Sequence, residues 1–289
     1  MDGVTKFNVR GRTVDPSQID WHWIRDRIIA PYVVGPVTRL NPNWPGYDEA
    51  VHVMEEDWDV LIILDGCRAD VFEDTVDTDA YDAYESVVSL GSHSSEWVRR
   101  NFRGQSYGDT VYVSANPHTN LLAHDVFHDI VELWDTDYDE DIGTVHPESV
   151  AAAAKETAER YPNKRLIVHF MQPHGPLIGS DKSPPFDSSE AYWQAYADTL
   201  EYAYPYAQEV IDDIKGKTVI TADHGQINYD GILKHLGLKS HKPNLRLPGL
   251  VQVPWGVIDD DRREVTVGET ETGVQNNVDD RLRDLGYKI

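Results

Sequence analysis

The chain has one cysteine, Cys67, in 289 residues. Neither an intrachain disulfide framework nor a cysteine-based zinc cluster is therefore available to it. Lysine is equally scarce: 10 Lys and 16 Arg stand against 33 Asp and 17 Glu, a formal net charge of −24. With so little positive charge to set against phosphates, a nucleic-acid binder is excluded. Long hydrophobic runs are missing too, the run 60–64 being as long as any. No membrane span and no charged-then-apolar signal pattern is read, and the expected location is cytoplasmic. What the chain does have is 40% hydrophobic residues with 8 Trp, 15 Tyr and 6 Phe, too much aromatic surface for an acidic disordered chain. An Asp-rich, Lys-poor coat around such a core fits the surface of a salt-adapted, halophilic protein.

Organisation changes near residue 57. Residues 1–56 carry one helical patch, 21–30, followed by segments broken at Pro31, Pro36, Pro42 and Pro45. They read as an arm packed on the main body, because proline at that density prevents long regular elements. Residues 57–289 read as one catalytic domain ending in a short helix near 276–285. Within it the run 58–64 has the character of a strand buried on both faces. Further strands are expected at 86–90, 110–114, 165–171, 217–221 and 250–253, and helices at 94–102, 147–161 and 190–214. Alternating strands and helices predict an α/β fold, a mostly parallel central sheet flanked by helices on both faces. The acidic segment 135–141 lacks the central glycine and the bidentate Glu of a calcium loop, and is read as a surface loop.

In an open parallel sheet ligands bind at the carboxyl ends of the strands. Those ends carry Asp65-Gly66-Cys67-Arg68, Gly91-Ser92-His93-Ser94-Ser95-Glu96, Gln172-Pro173-His174-Gly175 and Ala222-Asp223-His224-Gly225. Carboxylates with imidazoles suit zinc or manganese, and carboxylates alone suit magnesium or calcium. A cation beside a serine would activate the hydroxyl and neutralise charge on an anionic ester. Taken singly, Asp65 serves equally well as a helix cap, Ser92, Ser94 or Ser95 as an N-cap, and His174 as a structural histidine. The Asp223-His224-Gly225 sequence directly after a buried strand is more specific.

Over roughly residues 57–258 these motifs resemble the alkaline phosphatase superfamily on its sulfatase-like branch. The resemblance rests on Asp65-x-x-Arg68-x-Asp70, on Thr221-Ala222-Asp223-His224-Gly225, on the 171–176 segment and on His241 ahead of 250–255. It implies a three-layer sandwich, one divalent metal held by Asp65, Ser94, Asp223 and His224, and Ser94 as nucleophile about ten residues before Gly104. His174 and His241 would be second-metal ligands or substrate and leaving-group contacts, and Lys242 and Arg246 either further positive charge or solvated surface residues. The formylglycine pattern Ser-x-Pro-x-Arg is absent at Ser94-Ser95-Glu96-Trp97-Val98, and Gly66 replaces the sulfatases' second aspartate, which favours phosphorus over sulfur. Cys67 reads as a buried structural thiol. The expected function is hydrolysis of phosphate, or less readily sulfate, esters of small or glycan-linked anionic substrates. The alternatives are transfer of a phospho-group to a glycan or lipid, and a non-catalytic binding domain.

Overall fold

The computed structural model describes residues 7–9, 12–14, 19–228 and 239–270. The central sheet has eight strands: β1 (Ala50–Val51), β2 (Val60–Leu64), β3 (Ala83–Ser89), β4 (Tyr107–Ser114), β5 (Phe127–Glu132), β6 (Arg165–Phe170), β7 (Thr218–Thr221) and β8 (Gln252–Ile258). Their order is β1-β3-β8-β7-β2-β6-β4-β5. Only β8 runs antiparallel to its neighbours, while the other pairings are parallel. Five helices matter below: α1 (Ala69–Thr75), α2 (Ser94–Phe102), α3 (His118–Ala123), α4 (Pro147–Arg160) and α5 (Ser189–Asp213). The expected α/β sandwich is thus the observed one.

Strand β2 explains why both faces must be covered. All five of its residues are buried, and side chains alternate across a pleated strand. Val60, Ile62 and Leu64 pack with residues of α1, α4 and α5. Leu61 and Ile63 face the other way, among Trp97, Val98 and Phe102 of α2 and Ala123 of α3. Among the described residues no helix is long and apolar enough to cross a membrane.

Several elements differ from expectation. The helix foreseen at 21–30 continues to Leu40, through Trp21–Ile24, a π-helical stretch Arg25–Val34 and Gly35–Leu40. Pro31 lies within the wider π turns, and Pro36 lies just past them, where the π-helical stretch gives way to Gly35–Leu40. Residues 250–251 belong to the turn Pro248–Val251, with β8 starting at Gln252. The acidic 135–141 segment leads into a hairpin pairing Tyr138–Asp139 with Thr144–Val145. There Asp139 Oδ1 accepts the N–H groups of Asp141 and Ile142, a turn role. The helix read at 276–285 lies outside the described residues.

Candidate active site

The alternation that builds the core also builds the site. Leu61 and Ile63 face α2, so the next residue in phase past the end of β2, Asp65, lies on that side. Val219 faces α2 from β7, and Asp223 follows in the same phase. Ser94 opens α2. Its neighbour His93, not a serine, caps that helix, accepting the Ser95 N–H on Nδ1 at 3.1 Å. Ser94 Oγ, not used in the cap, turns inward, 3.3 Å from Asp65 Oδ2 and 3.1 Å from His224 Nε2. Nor does Asp65 cap a helix: α1 begins after Arg68.

Hydrogen bonding sorts the oxygens. Asp223 Oδ1 accepts two backbone N–H groups, from Gly66 at 3.0 Å and His224 at 2.8 Å. Asp65 Oδ2 accepts from Asn116 Nδ2 at 2.5 Å. The other oxygens, Asp65 Oδ1 and Asp223 Oδ2, are buried without a hydrogen-bond partner. His224 donates Nδ1–H to the Gly225 carbonyl at 2.7 Å, which turns its Nε2 to within 3.4 Å of Asp223 Oδ2 and 3.8 Å of Asp65 Oδ1. One donor atom from each of Asp65, Asp223 and His224 lies within 4.8 Å of the others. Unmet buried acceptors converging at this distance repel one another, and a divalent cation is what such a set fits.

The two carboxyls are pushed apart. Burial acts to raise both. For Asp65 it is outweighed by His169, His174 and His224, which hold the group well below the usual carboxylate range. Asp223 is raised by burial and then by the charge of Asp65.

His174 and His241 are both present at the rim. His241 packs its ring 4.6 Å from that of His224 and 4.9 Å from that of His174. His174 donates Nδ1–H to the Gly175 carbonyl at 2.6 Å. A clamp positions His241 from the neighbouring segment. Ser92 Oγ sits 2.9 Å from the Lys242 carbonyl and accepts the Leu245 N–H, while Glu96 accepts the Asn244 N–H.

Arg246 requires a correction, since it is neither site charge nor solvated surface. It is fully buried, and its guanidinium donates to the carbonyls of Pro45, Gly46 and Ser89. Lys242 Nζ lies 3.7 Å from Asp26 of the N-terminal segment. Cys67 is buried as expected, and burial raises its thiol.

Four site residues escaped the sequence reading. Asn116 follows β4, His169 lies within β6, His93 caps α2 and His118 opens α3. The rings of His93 and His118 are 5.4 Å apart, and His93 lies 4.7 Å from His241. Burial lowers His118 to about 3 and also depresses His93, His174 and His241. His169 had one visible signal, a histidine inside an otherwise apolar run.

No family model and no curated protein matches the chain. Solved structures do. The C-terminal periplasmic domain of the phosphoethanolamine transferase EptC from Campylobacter jejuni superposes with a TM-score of 0.51 at 17% identity, over 70% of this chain and 78% of that one. The integral membrane lipooligosaccharide phosphoethanolamine transferase A (EptA) from Neisseria meningitidis gives 0.51 at 14% identity, over 70% of this chain and 47% of its own length. At such identities the likeness is one of architecture. With these domains the chain shares its overall fold, which here is an eight-stranded, mostly parallel sheet between helices.

Proposed function

We propose that this protein is a divalent-metal-dependent enzyme acting on phosphate esters, with Ser94 as its nucleophile. The observation that carries the reading is the convergence of Ser94 Oγ, Asp65 Oδ1, Asp223 Oδ2 and His224 Nε2 on one buried point. Asp65, Asp223 and His224 would hold the ion, drawn from manganese, zinc, magnesium or calcium, and Ser94 would complete the set. One ion is expected, because these three are the group with metal-site spacing among the described residues. The bound ion supplies positive charge to the ester and lowers the hydroxyl's pKa.

The chain's own residues do the rest. Ser94 attacks phosphorus, the new Oγ–P bond forms as the bond to the leaving oxygen breaks, and the Ser94 proton has Asp65 Oδ2, the oxygen not offered to the ion, within 3.3 Å. The N-terminus of α2 adds partial positive charge toward the phosphate. His174, its Nδ1–H committed to Gly175 and its charged form disfavoured by burial, is suited to accept a proton from the group that cleaves phosphoserine, and His241 stands beside it. That group is water in a hydrolase. In the second reading it is the hydroxyl of a glycan or lipid acceptor, favoured by the fold shared with two phosphoethanolamine transferases. Residues 57–289 form the catalytic domain in this reading, with 1–56 as an arm.

Ser94→Ala should lower turnover of an aryl phosphate mono- or diester by roughly 10³-fold or more while the ion, still offered Asp65, Asp223 and His224, remains bound at saturating metal. Retained activity would remove Ser94 from its role, and wild-type protein without a bound divalent ion would sink the enzyme reading in favour of a binding domain. Product analysis with a glycan or lipid acceptor present separates free phosphate from transferred phosphate.

A further inference from the structure

His169 is the polar interruption of a strand that is otherwise core. It is fully buried, with Trp97 of α2 6.2 Å away ring to ring, a setting in which a leucine would cost nothing and an imidazole must be satisfied. Two polar groups meet it. The Tyr112 hydroxyl of β4 lies 2.9 Å from Nδ1. Nε2, which makes no hydrogen bond of its own, is aimed at Asp65 Oδ2 at 3.4 Å. With the Tyr112 O–H donating to Nδ1, the imidazole proton sits on Nε2 and faces the carboxylate.

The register brings these groups together. Residue 167 of β6 pairs with Tyr112 of β4, and His169 pairs with Ile63 of β2, two residues before Asp65. The three side chains therefore share the α2 face along a diagonal across adjacent strands. Asn116 approaches Asp65 Oδ2 as well, leaving Oδ1 alone without a partner.

We infer that the Tyr112–His169 pair is a positioning device for the metal site: it holds Asp65 by Oδ2 so that a divalent cation is offered Oδ1 only. The inference rests on the reading of Asp65 as a metal ligand. Its chemistry is that of an outer polar shell: the Nε2–H dipole faces Oδ2 at 3.4 Å beside the hydrogen bond from Asn116, orienting the ligand while the cation's charge is left to the inner set. His169 touches neither substrate nor metal in this role.

The test is metal affinity of the full chain, measured for Mn²⁺ and Zn²⁺ by competition with a chromophoric chelator, with near-UV circular dichroism reporting the fold. His169→Leu fills the volume without a donor, His169→Gln restores an N–H donor, and Tyr112→Phe removes one hydroxyl. His169→Leu should bind the ion about 10- to 100-fold more weakly, Tyr112→Phe should lose affinity in the same direction, and His169→Gln should recover most of it. Wild-type affinity in folded His169→Leu would overturn the inference, as would a His169→Gln loss equal to that of His169→Leu, since packing alone would then be at work. If His169→Leu does not fold, Tyr112→Phe decides, and unchanged affinity there overturns the proposal. A wild-type protein that binds no ion would instead overturn the proposed function, so the two failures are distinct.

Discussion

Four acidic side chains are buried among the described residues: Asp59, Asp65, Glu96 and Asp223. Asp59 meets Arg262 through both oxygens and takes the Lys217 N–H. Glu96 accepts from Tyr47, Ser92, Arg100 and Asn244. Both are structural acids with their lone pairs used. Asp65 and Asp223 each keep one oxygen unmet, and that difference, not burial, separates a fastening from a ligand. Arg246 belongs with the fastenings. Its three carbonyl partners join residues 45–46 and the end of β3 to the segment after His241. Arg246→Met removes a buried charged donor and leaves those carbonyls short, which should cost about 3–5 kcal/mol in urea unfolding. Protein that still folds should keep its KM for an anionic ester; a large rise in KM with unchanged stability would return Arg246 to the substrate side.

At the scale of elements, the histidines of the site arrive from separate places: His93 before α2, His118 at the start of α3, His174 after β6, and His241 from the segment clamped by Ser92 and Glu96. Burial depresses all four in the folded state. A histidine with a lowered folded pKa contributes stability above its unfolded value, near 6.5, and loses it as pH falls toward the folded value, about 3 for His118. The unfolded chain binds the extra proton in that window, so each such imidazole removes up to about 1.4 kcal/mol per pH unit. Metal-free protein should therefore lose urea stability steeply from pH 6.5 to 5, above the range where most carboxylates titrate. A flat profile there would mean that the cluster opens to water. Much of this architecture was legible. The run 58–64 stood out as an unbroken apolar stretch and the helices at 94–102, 147–161 and 190–214 as the segments between strands; polar residues directly after buried strands pointed to Asp65, Asp223 and His224, while Ser94 was chosen over Ser92 and Ser95 only by the family resemblance. Strand β5 did not stand out, because Phe-His-Asp-Ile-Val-Glu at a sheet edge lacks a buried run. Asn116 was hidden for a topological reason: β4 and β2 are separated by β6 in the sheet, and no sequence period records that crossing. His169 looked like core because a strand reading asks only which face a residue is on.

Among the described residues every acidic side chain but Asp59, Asp65, Glu96 and Asp223 is at least partly exposed, so much of the charge of −24 is carried by the surface. Exposed acids stand close together, as at Asp77, Asp79 and Asp82, at Asp135, Asp137 and Asp139, and at Asp259, Asp260 and Asp261. Repulsion within such groups acts on the folded chain more than on the expanded one, and it is screened over a Debye length of about 10 Å at 0.1 M salt and about 3 Å at 1 M. The fold should therefore stabilise as salt rises, the thermal midpoint climbing by roughly 5–10 °C between 0.1 and 2 M KCl, equivalent to about 3–6 kcal/mol for a chain of this size. Catalysis adds an independent reading of the same field. An anionic ester must cross a negative surface to reach a buried cation that reverses the sign only locally, so kcat/KM for a charged ester should increase with salt while that for a less charged ester changes little. Both measurements in one salt series separate the two consequences. A salt-independent midpoint would count against a salt-adapted surface, and parallel salt responses for the two esters would place the effect on folding rather than on substrate approach.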